Sequence, residues 1–357
     1  MIARIGKLIG RGPRLLFGPI VRKLGLKSPL VATLCYLRNR DFQLEAWSYL
    51  HGLNQARSDE SSSTGWRYHL RTNIHILEKG LSASSRRQIF GAKIAGLAVA
   101  AFARLHALRA TCATAQDEPL YLWARDVLTK YFEVVGSDPK IDAARSAFRK
   151  LALNCPQGWP QLSPYNRGPA AADLPTYEQL LVLARRRRSV RTYRADPVPR
   201  ELIDRAMVIA SLAPSSCNRQ PFHYRVCDDQ KLISLLEHVP GGITCFNCVP
   251  MLIVITGDMR GCIESITNRH AIYVDASLSV MAFQLALETM GLSSCCVHWS
   301  ETREKDRAVQ AALGMQPFER VVMFMVVGYP EPDAIVPRSQ KRHLDELRSY
   351  NAIGTVT

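Results

Sequence analysis

The sequence predicts two folded units, an all-α unit followed by a unit in which helices and strands alternate. Residues 41–153 show helical periodicity throughout, and residues 175–345 interleave helical stretches with short apolar, β-branched runs. Between them, residues 154–174 contain four prolines and two glycines, a density that disfavours both helix and central strand. A chain of 357 residues is long enough for two such units, and its 47% apolar content is typical of folded proteins.

The front unit is predicted to consist of five helices. The alanine-rich stretch carries a broad apolar stripe that includes Ile89, Leu97 and Leu105, as expected for a helix packed against its neighbours. The break between the last two helices is the turn-forming segment 137–139. The predicted helices are Asp41–Leu53, His69–Leu81, Ser84–Ala110, Glu118–Val135 and Ile141–Leu153.

The second unit, residues 175–357, alternates helices and strands and ends in an extended arm from Pro330. The helix predicted at His270–Met290 is apolar nearly all round, which points to a surface shared with another subunit. The other predicted helices are Tyr177–Arg188, Arg200–Leu212, Gln230–His238 and Arg303–Leu313. The predicted strands are Phe222–Cys227, Met251–Thr256, Ser293–Val297 and Val321–Val327.

The net charge of +15 indicates an anionic partner. Charge alone does not distinguish a phosphate-bearing cofactor from an acidic membrane or nucleic acid. Residues 1–40 carry nine Lys/Arg and no acid, interspersed with apolar residues. Two interpretations of this arm remain open: an amphipathic segment that contacts anionic lipid, or a basic arm that lies on its own protein. Nucleic acid is not expected, because no basic helix, zinc finger or aromatic platform accompanies the charge.

The spacing of the ten cysteines shows no regular disulfide pattern, which for a chain of this length favours a location in the reducing cytoplasm. The basic arm leaves peripheral membrane contact open as well. The pair Cys245 and Cys248 has C-x-x-C spacing, but no second pair or histidine lies at ligand spacing. We therefore expect no metal site.

Three separated motifs carry the candidate chemistry. The run Arg187-Arg188-Ser189-Val190-Arg191 offers guanidinium forks and a hydroxyl to phosphate oxygens, the segment 213–222 (Ala-Pro-Ser-Ser-Cys-Asn-Arg-Gln-Pro-Phe) offers amide groups, and residues 291–296 offer backbone N–H groups. A second basic cluster follows at Arg338, Lys341 and Arg342. Taken singly, the motifs are better explained by ordinary structure: a solvated helix end, a polar turn and a solvated tail.

Taken in order, these motifs resemble the nitroreductase superfamily over about residues 176–345. The downstream phrases Tyr-Val-Asp-Ala at 273–276 and Val-Val-Gly-Tyr-Pro at 326–330 belong to the same resemblance. It implies an α+β nitroreductase-like fold, a mixed sheet flanked by helices, here preceded by an all-α domain. It also implies an intertwined homodimer with FMN at the interface, so that the apolar helix would form the dimer core.

The resemblance assigns FMN contacts position by position. The phosphate and pyrimidine-edge contacts would be Arg187, Arg188, Ser189 and Arg191. The flavin-facing residues, in this family often supplied by the other subunit, would be Pro214, Ser215, Ser216, Asn218 and, less directly, Gln220. Ser294 and Cys295 would be backbone partners near flavin N5 and O4, and Arg338, Lys341 and Arg342 would close on the phosphate.

The implied activity is oxidoreduction, with hydride passing through flavin N5 between a nicotinamide or organic donor and a small organic substrate. NAD(P)H would be a transient co-substrate, since no Rossmann fingerprint is present, and no protein side chain needs to act as nucleophile or base. A nitro compound, quinone, activated alkene or intermediate of a polysaccharide or natural-product pathway would be the substrate. Two alternatives stay open: an inactive flavin-fold scaffold at a membrane assembly, and a dehalogenating or flavin-consuming relative.

Two residues outside these motifs are candidates for substrate contact. Phe246 lies in the loop that resembles the family's substrate opening. His75 belongs to the distinctive phrase at residues 73–82, where His75, Glu78 and Lys79 lie within about one helical turn. A helix-end ion pair with a capped histidine explains the same phrase equally well.

Overall fold

The computed structural model describes residues 28–38, 40–58, 65–112, 117–151, 162–169, 171, 173–262 and 266–351. Most of the predicted basic arm (1–27 and 39), the last two residues of the last predicted front helix (152–153) and much of the predicted linker (154–161, 170 and 172) lie outside this part of the chain. The front helices are α1 (Pro29–Arg38), α2 (Arg40–Ser58), α3 (Gly65–Leu81), α4 (Ala92–Cys112), α5 (Glu118–Val134) and α6 (Pro139–Arg149).

Helices α3 to α6 share one core, in which Leu70, Phe102 and Tyr131 are fully buried. Each of the five predicted helices differs from the structure at one or both ends, and two of these helices illustrate the causes. The alanine-rich helix begins at Ala92 rather than Ser84, because Gly91 adopts a left-handed conformation (φ 71°) that a continuous helix cannot include. The last helix ends at Arg149 and not at Leu153, and it begins at Pro139, where Asp138 accepts hydrogen bonds from Lys140 N and Ile141 N.

The C-terminal half contains both helices and strands. The helices are α7 (Tyr177–Arg186), α8 (Arg200–Ser211), α9 (Gln230–Leu236), α10 (Ala271–Thr289), α11 (Arg303–Leu313) and α12 (Leu344–Leu347). The strands are β1 (Phe222–Cys227), β2 (Met251–Asp258), β3 (Ser293–Val297) and β4 (Glu319–Gly328). The short helix α12 falls within the arm that the sequence predicted as extended.

The four strands form one sheet in the order β1-β2-β4-β3, and every neighbouring pair is antiparallel. Helices α8 and α10 cover one face of the sheet, and α9 and α11 cover the other. The predicted fold class is thus confirmed, with one difference in detail. Among the described residues, parallel pairing occurs only at the isolated bridge between Ser189 and Ser294, so the four-stranded sheet is antiparallel and not mixed.

Helix α10 is the central helix of this half. Ile272, Phe283 and Leu287 are fully buried against the sheet, whereas Val274 and Leu278 remain about half exposed on the opposite side. By length and composition the segment Ile266–Thr289 could cross a membrane, yet half of its most apolar window is buried inside the protein. That burial is typical of the core helix of a folded domain.

Helix α2 packs on the C-terminal half rather than within the four-helix core. Tyr49 joins Met259, Ile272 and Phe318 in a separate apolar cluster. Beside this cluster the fully buried Arg320 donates from Nη1 to Asp306 Oδ2 (2.7 Å) and to Ser48 Oγ of α2 (3.3 Å). The division of the chain after residues 153 and 174 stays a prediction, but the contacts of α2 cross it.

Candidate functional site

The arginine run leaves helix α7 and crosses to strand β3. Arg187 is the first residue after the helix, with extended backbone (ψ 115°) and its N–H bonded to Leu183 O. Ser189 then bridges Ser294, and Val190 N donates to Ser294 O at 3.4 Å. The side chains of the run are therefore fixed against the edge of the sheet.

Two arginines of this run form no ion pair in the described part of the chain. Arg187 Nε is buried without a hydrogen-bond partner, and Arg191 Nη1 donates to the Ser189 carbonyl at 3.4 Å. Burial raises the pKa of the Cys295 thiol, while the Arg191 and Arg187 guanidiniums nearby oppose that rise. A partly buried cluster of cations outside any ion pair is a site that favours an anion. We refer to Arg187, Ser189 and Arg191 as the arginine cluster.

The second motif forms a loop that Asp275 of α10 holds in place. Both Asp275 carboxylate oxygens accept from Ser216 N at 3.1 Å, and burial raises the pKa of Asp275 while this hydrogen bond opposes the rise. The buried Arg219 donates from Nε to Ser216 O at 2.8 Å. We refer to residues 214–220 as the flavin loop. Sequence analysis missed both supports, although Asp275 lies within a quoted phrase and Arg219 within the motif itself.

The flavin loop is locally strained. Cys217, Asn218 and Gln220 all have φ between 52° and 53°, a left-handed conformation that is unfavourable for residues other than glycine. Two hydrogen bonds stabilise it: Gln220 N donates to Ser215 Oγ (3.2 Å), and Gln220 Nε2 donates to Asn218 Oδ1 (2.9 Å). The Gln220 amide is thus used within the loop, and strain concentrated in one short turn is typical of functional sites.

The third motif lies on β3 beside the arginine cluster. The buried Gln284 of α10 donates from Nε2 to Ser294 Oγ at 2.9 Å, which fixes the hydroxyl. Glu288 accepts from Ser293 Oγ at 3.0 Å, and burial raises the pKa of this carboxyl despite the neighbouring Arg186 and Arg187. Ser294 and Cys295 are themselves buried; the Ser294 backbone pairs with Ser189, and the Ser189 side chain hydrogen-bonds with the Cys295 thiol.

The predicted phosphate clamp is only partly assembled within the described chain. Arg188 donates to the Pro337 and Arg338 carbonyls, which ties the tail to the arginine run but uses this guanidinium on the backbone. Arg342 is exposed and pairs with Glu346 at 3.1 Å. Arg338 and Lys341 are exposed as well. A clamp formed by Arg338, Lys341 and Arg342 stays a prediction.

Different parts of α10 contact the flavin loop and the strand segment beside the arginine cluster. The loop is held at Asp275 and the β3 hydroxyl at Gln284, positions that lie about 13 Å apart along a helix with a rise of 1.5 Å per residue. Within the described residues, no hydrogen bond or ion pair joins the two groups. Within one chain, the two groups therefore lie apart.

The two candidate substrate residues have structural partners. Phe246 stacks on Tyr193 with ring centroids 6.2 Å apart and packs against the core of the sheet. His75 Nδ1 lies 3.2 Å from Glu78 Oε2, and Glu78 Oε1 accepts from Trp123 Nε1. The Cys248 thiol donates to the Tyr193 carbonyl, and the described residues contain no group of three or more metal-ligating side chains around the C-x-x-C pair.

Comparison with known proteins identifies this half of the chain. The model of the nitroreductase family matches residues 184–244 and 246–329. Iodotyrosine deiodinase 1 of Pongo abelii is 24% identical over 193 residues, which cover 46% of this chain and 66% of the deiodinase. A putative NADH dehydrogenase/NAD(P)H nitroreductase of Archaeoglobus fulgidus is 26% identical over 161 residues, 44% of this chain and 88% of that protein.

Solved structures similar to the chain cover the same half. An FMN-dependent nitroreductase of Clostridium difficile R20291 aligns with 48% of this chain and 99% of its own (24% identity, TM-score 0.41). A putative nitroreductase of Bacillus subtilis aligns with 49% and 100% (20% identity, TM-score 0.44). The family match thus covers residues 184–244 and 246–329, within the C-terminal half of this chain, and a helical N-terminal extension precedes it.

Proposed function

We propose that this protein is an FMN-dependent oxidoreductase that passes hydride between a nicotinamide or organic donor and a small organic substrate. The observation that carries the proposal is the arginine cluster, where Arg187 Nε is buried without a partner and no ion pair within the described chain neutralises Arg187 or Arg191. Arg187 as a whole is only partly buried, but a buried N–H group without an acceptor is unfavourable unless a ligand supplies one. The FMN phosphate supplies the charge and the oxygen acceptors that this cluster lacks.

The side chains around the cluster would hold and orient the cofactor. Arg187 and Arg191 bind the phosphate and the polar edge of the ring, and Ser189, fixed by its bridge to Ser294, adds a hydroxyl. Gln284 holds the Ser294 hydroxyl, and the Ser294–Cys295 segment lies beside this cluster. When bound, FMN supplies the hydride chemistry, and the protein supplies binding, orientation and exclusion of water.

We propose further that two chains complete each site. The flavin loop is held by Asp275, away from the arginine cluster of the same chain, so a second copy is needed to bring a loop onto the ring. The exposed apolar residues of α10 support this pairing, because Val274, Leu278 and Met281 lie at helical spacing on one side.

Substitution of Arg187 tests the cofactor assignment. Wild-type protein should be yellow and release FMN on denaturation. In Arg187→Ala, FMN affinity should fall by about 1.5–3 kcal/mol, the usual contribution of a hydrogen bond to a charged group. Flavin absorbance titration measures the dissociation constant. Arg307→Ala is the matched control, since Arg307 is an exposed arginine of α11 away from the cluster and should leave FMN binding unchanged.

The same titration separates the proposal from its alternative. A colourless protein that fails to bind added FMN would contradict the enzyme and support a scaffold that has kept the fold without the cofactor. If the protein is yellow, anaerobic bleaching by NADH or NADPH identifies a nicotinamide-linked reductase. Bleaching only by an organic donor identifies a substrate-driven dehydrogenase.

A second candidate function is reductive dehalogenation. It is favoured by the similarity to iodotyrosine deiodinases from several animals, which are 23–24% identical to this chain. Release of iodide from iodotyrosine by the FMN-loaded protein and a chemical reductant would support it. Reduction of nitro compounds or quinones without iodide release would favour the first candidate.

A further inference from the structure

Helix α3 makes contacts on two faces. Leu70, Ile74 and Leu77 point into the four-helix core, while Tyr68, Thr72 and His75 lie on the other side of the helix. This second side meets the C-terminal half, where α3 contacts the turn at Ser216–Asn218. The N-terminal extension therefore lies directly against the flavin loop of its own chain.

Tyr68 anchors this contact. Its hydroxyl donates to Asp258 Oδ2 at 3.0 Å, and Asp258 N donates to Pro221 O at 2.9 Å, at the end of the flavin loop. Burial raises the pKa of Tyr68 well above its usual value, so the phenol stays a neutral donor. Gly261, next to Asp258 and Arg260, lies so close to Pro221 that an added Cβ would be 2.4 Å from its Cβ. The position of α3 relative to the loop is therefore fixed.

One turn further along, α3 carries polar groups without partners. Arg71 is partly buried and makes no hydrogen bond or ion pair with any described residue, and burial lowers its pKa. Thr72 Oγ1 is buried and has no hydrogen-bond partner in the described structure. His75 has its Nδ1 side held by Glu78, which leaves Nε2 for another contact. Other partly buried arginines of this unit are paired, as Arg67 is with Asp117 and Arg145 is with Asp142.

We infer that Arg71 and Thr72 of α3 bind an anionic group, a carboxylate or phosphate, on a molecule that reacts at the flavin. The inference rests on the proposed function, because the flavin loop defines where that molecule lies. An unpaired arginine and an unpaired hydroxyl on adjacent residues suit an anion that accepts from both. The anion belongs either to the organic substrate or to the nicotinamide donor, and both sources use the same chemistry.

The test compares a charged and a neutral substrate of the same shape. 4-Nitrobenzoate and 4-nitrobenzyl alcohol are assayed with the FMN-loaded full chain in wild type, Arg71→Gln, Thr72→Val and the control Arg149→Ala, an exposed arginine of the same unit. In Arg71→Gln we expect KM for 4-nitrobenzoate to rise roughly tenfold or more. KM for the alcohol, kcat and FMN content should not change. Thr72→Val should give a smaller rise in the same direction.

The outcomes separate the two anion sources. A rise in KM for NADH or NADPH alone, in Arg71→Gln, places the anion on the donor and supports the inference. Equal changes for charged and neutral substrates, or no change for any of them, overturn it. If the protein binds no FMN, the proposed function fails. Equilibrium dialysis of 4-nitrobenzoate against wild type and Arg71→Gln then tests anion binding by Arg71 independently. Loss of 4-nitrobenzoate binding in Arg71→Gln alone would support the anion site. Equal binding to both proteins, or no binding to either, would overturn it.

Discussion

Neighbouring thiols on strand β3 show how strongly local surroundings set the properties of single residues near the site. Burial raises the pKa of Cys296 to about 11, and it also raises the pKa of Cys295 against the influence of two arginines. Both thiols are therefore protonated at neutral pH and are poor nucleophiles. Cys245, in the loop before β2, is exposed.

This contrast predicts the order of alkylation. At about pH 7, iodoacetamide should label Cys245 well before Cys296, because thiolate is the reacting form and the raised pKa keeps Cys296 protonated. Labelling of Cys296 should accelerate as the pH rises towards its pKa. Peptide mass spectrometry of timed samples measures both rates. Equal rates at pH 7 would show that Cys296 is neither buried nor shifted.

At the same scale, sequence predicted the residue types of the site better than their conformations. Arg187, Ser189 and Arg191 lie around Cys295, and their role as FMN contacts stays a prediction. The left-handed turn at Cys217 and Asn218 was not predictable, because no glycine marks it. It is stabilised by contacts from residues distant in sequence, and single-sequence patterns do not report such contacts.

Among the secondary-structure elements, helix α2 depends on one close approach. At Gly52, an added Cβ would lie 2.7 Å from Met259 Cβ and 2.8 Å from Met259 C. Since one of these atoms is backbone, a larger residue cannot be accommodated by a side-chain rotation alone. Glycine at this position allows α2 to pack on the turn that follows β2.

Gly52→Ala should therefore destabilise the protein even though alanine favours helix. We expect the free energy of unfolding to fall by roughly 1–3 kcal/mol, the usual cost of overpacking. Gly96→Ala is the matched control on α4, where an added Cβ has nothing within 4 Å. That variant should gain about 0.5–1 kcal/mol. Urea denaturation of both variants measures the difference, and stabilisation by Gly52→Ala would contradict the close contact.

The bounds of helices and strands were predicted well where sequence signals mark their ends and poorly where only apolar periodicity was available. Helix α11 and strand β3 have the predicted bounds, because caps and turns mark their ends clearly. Helix α4 did not begin where predicted, since the apolar stripe continues through residues that form a turn before Gly91. Periodicity reports which side of a segment is apolar, and it does not report where the backbone leaves the helix.

The molecule as a whole presents an apolar surface that spans two helices. Leu278 is 46% exposed and Met281 42% exposed on α10, and Leu212, at the end of the adjoining α8, is 77% exposed. Sequence analysis predicted a shared surface from the composition of α10, but the contribution of α8 required the packing of the two helices to be known.

Leu278→Glu should disrupt the proposed dimer. A charge placed on this surface must lose its hydration when two copies meet, so the dimer dissociation constant should rise at least about 100-fold, roughly 3 kcal/mol. Light scattering after gel filtration measures the mass, and FMN retention should fall with it. Ile335→Glu, at a 93% exposed position in the arm, serves as the control. A wild-type protein that is monomeric at all concentrations would contradict the proposal.

The buried guanidinium of Arg320 has a practical consequence for anyone who divides this protein into fragments. A recombinant piece starting at residue 175 would contain all of the residues that match the family, yet it would lack Ser48 and expose the apolar surface formed by Met259, Ile272 and Phe318. Such a piece should be prone to aggregation although its sheet is complete. The extension is part of the folded body that carries the site and should be kept in any expression design.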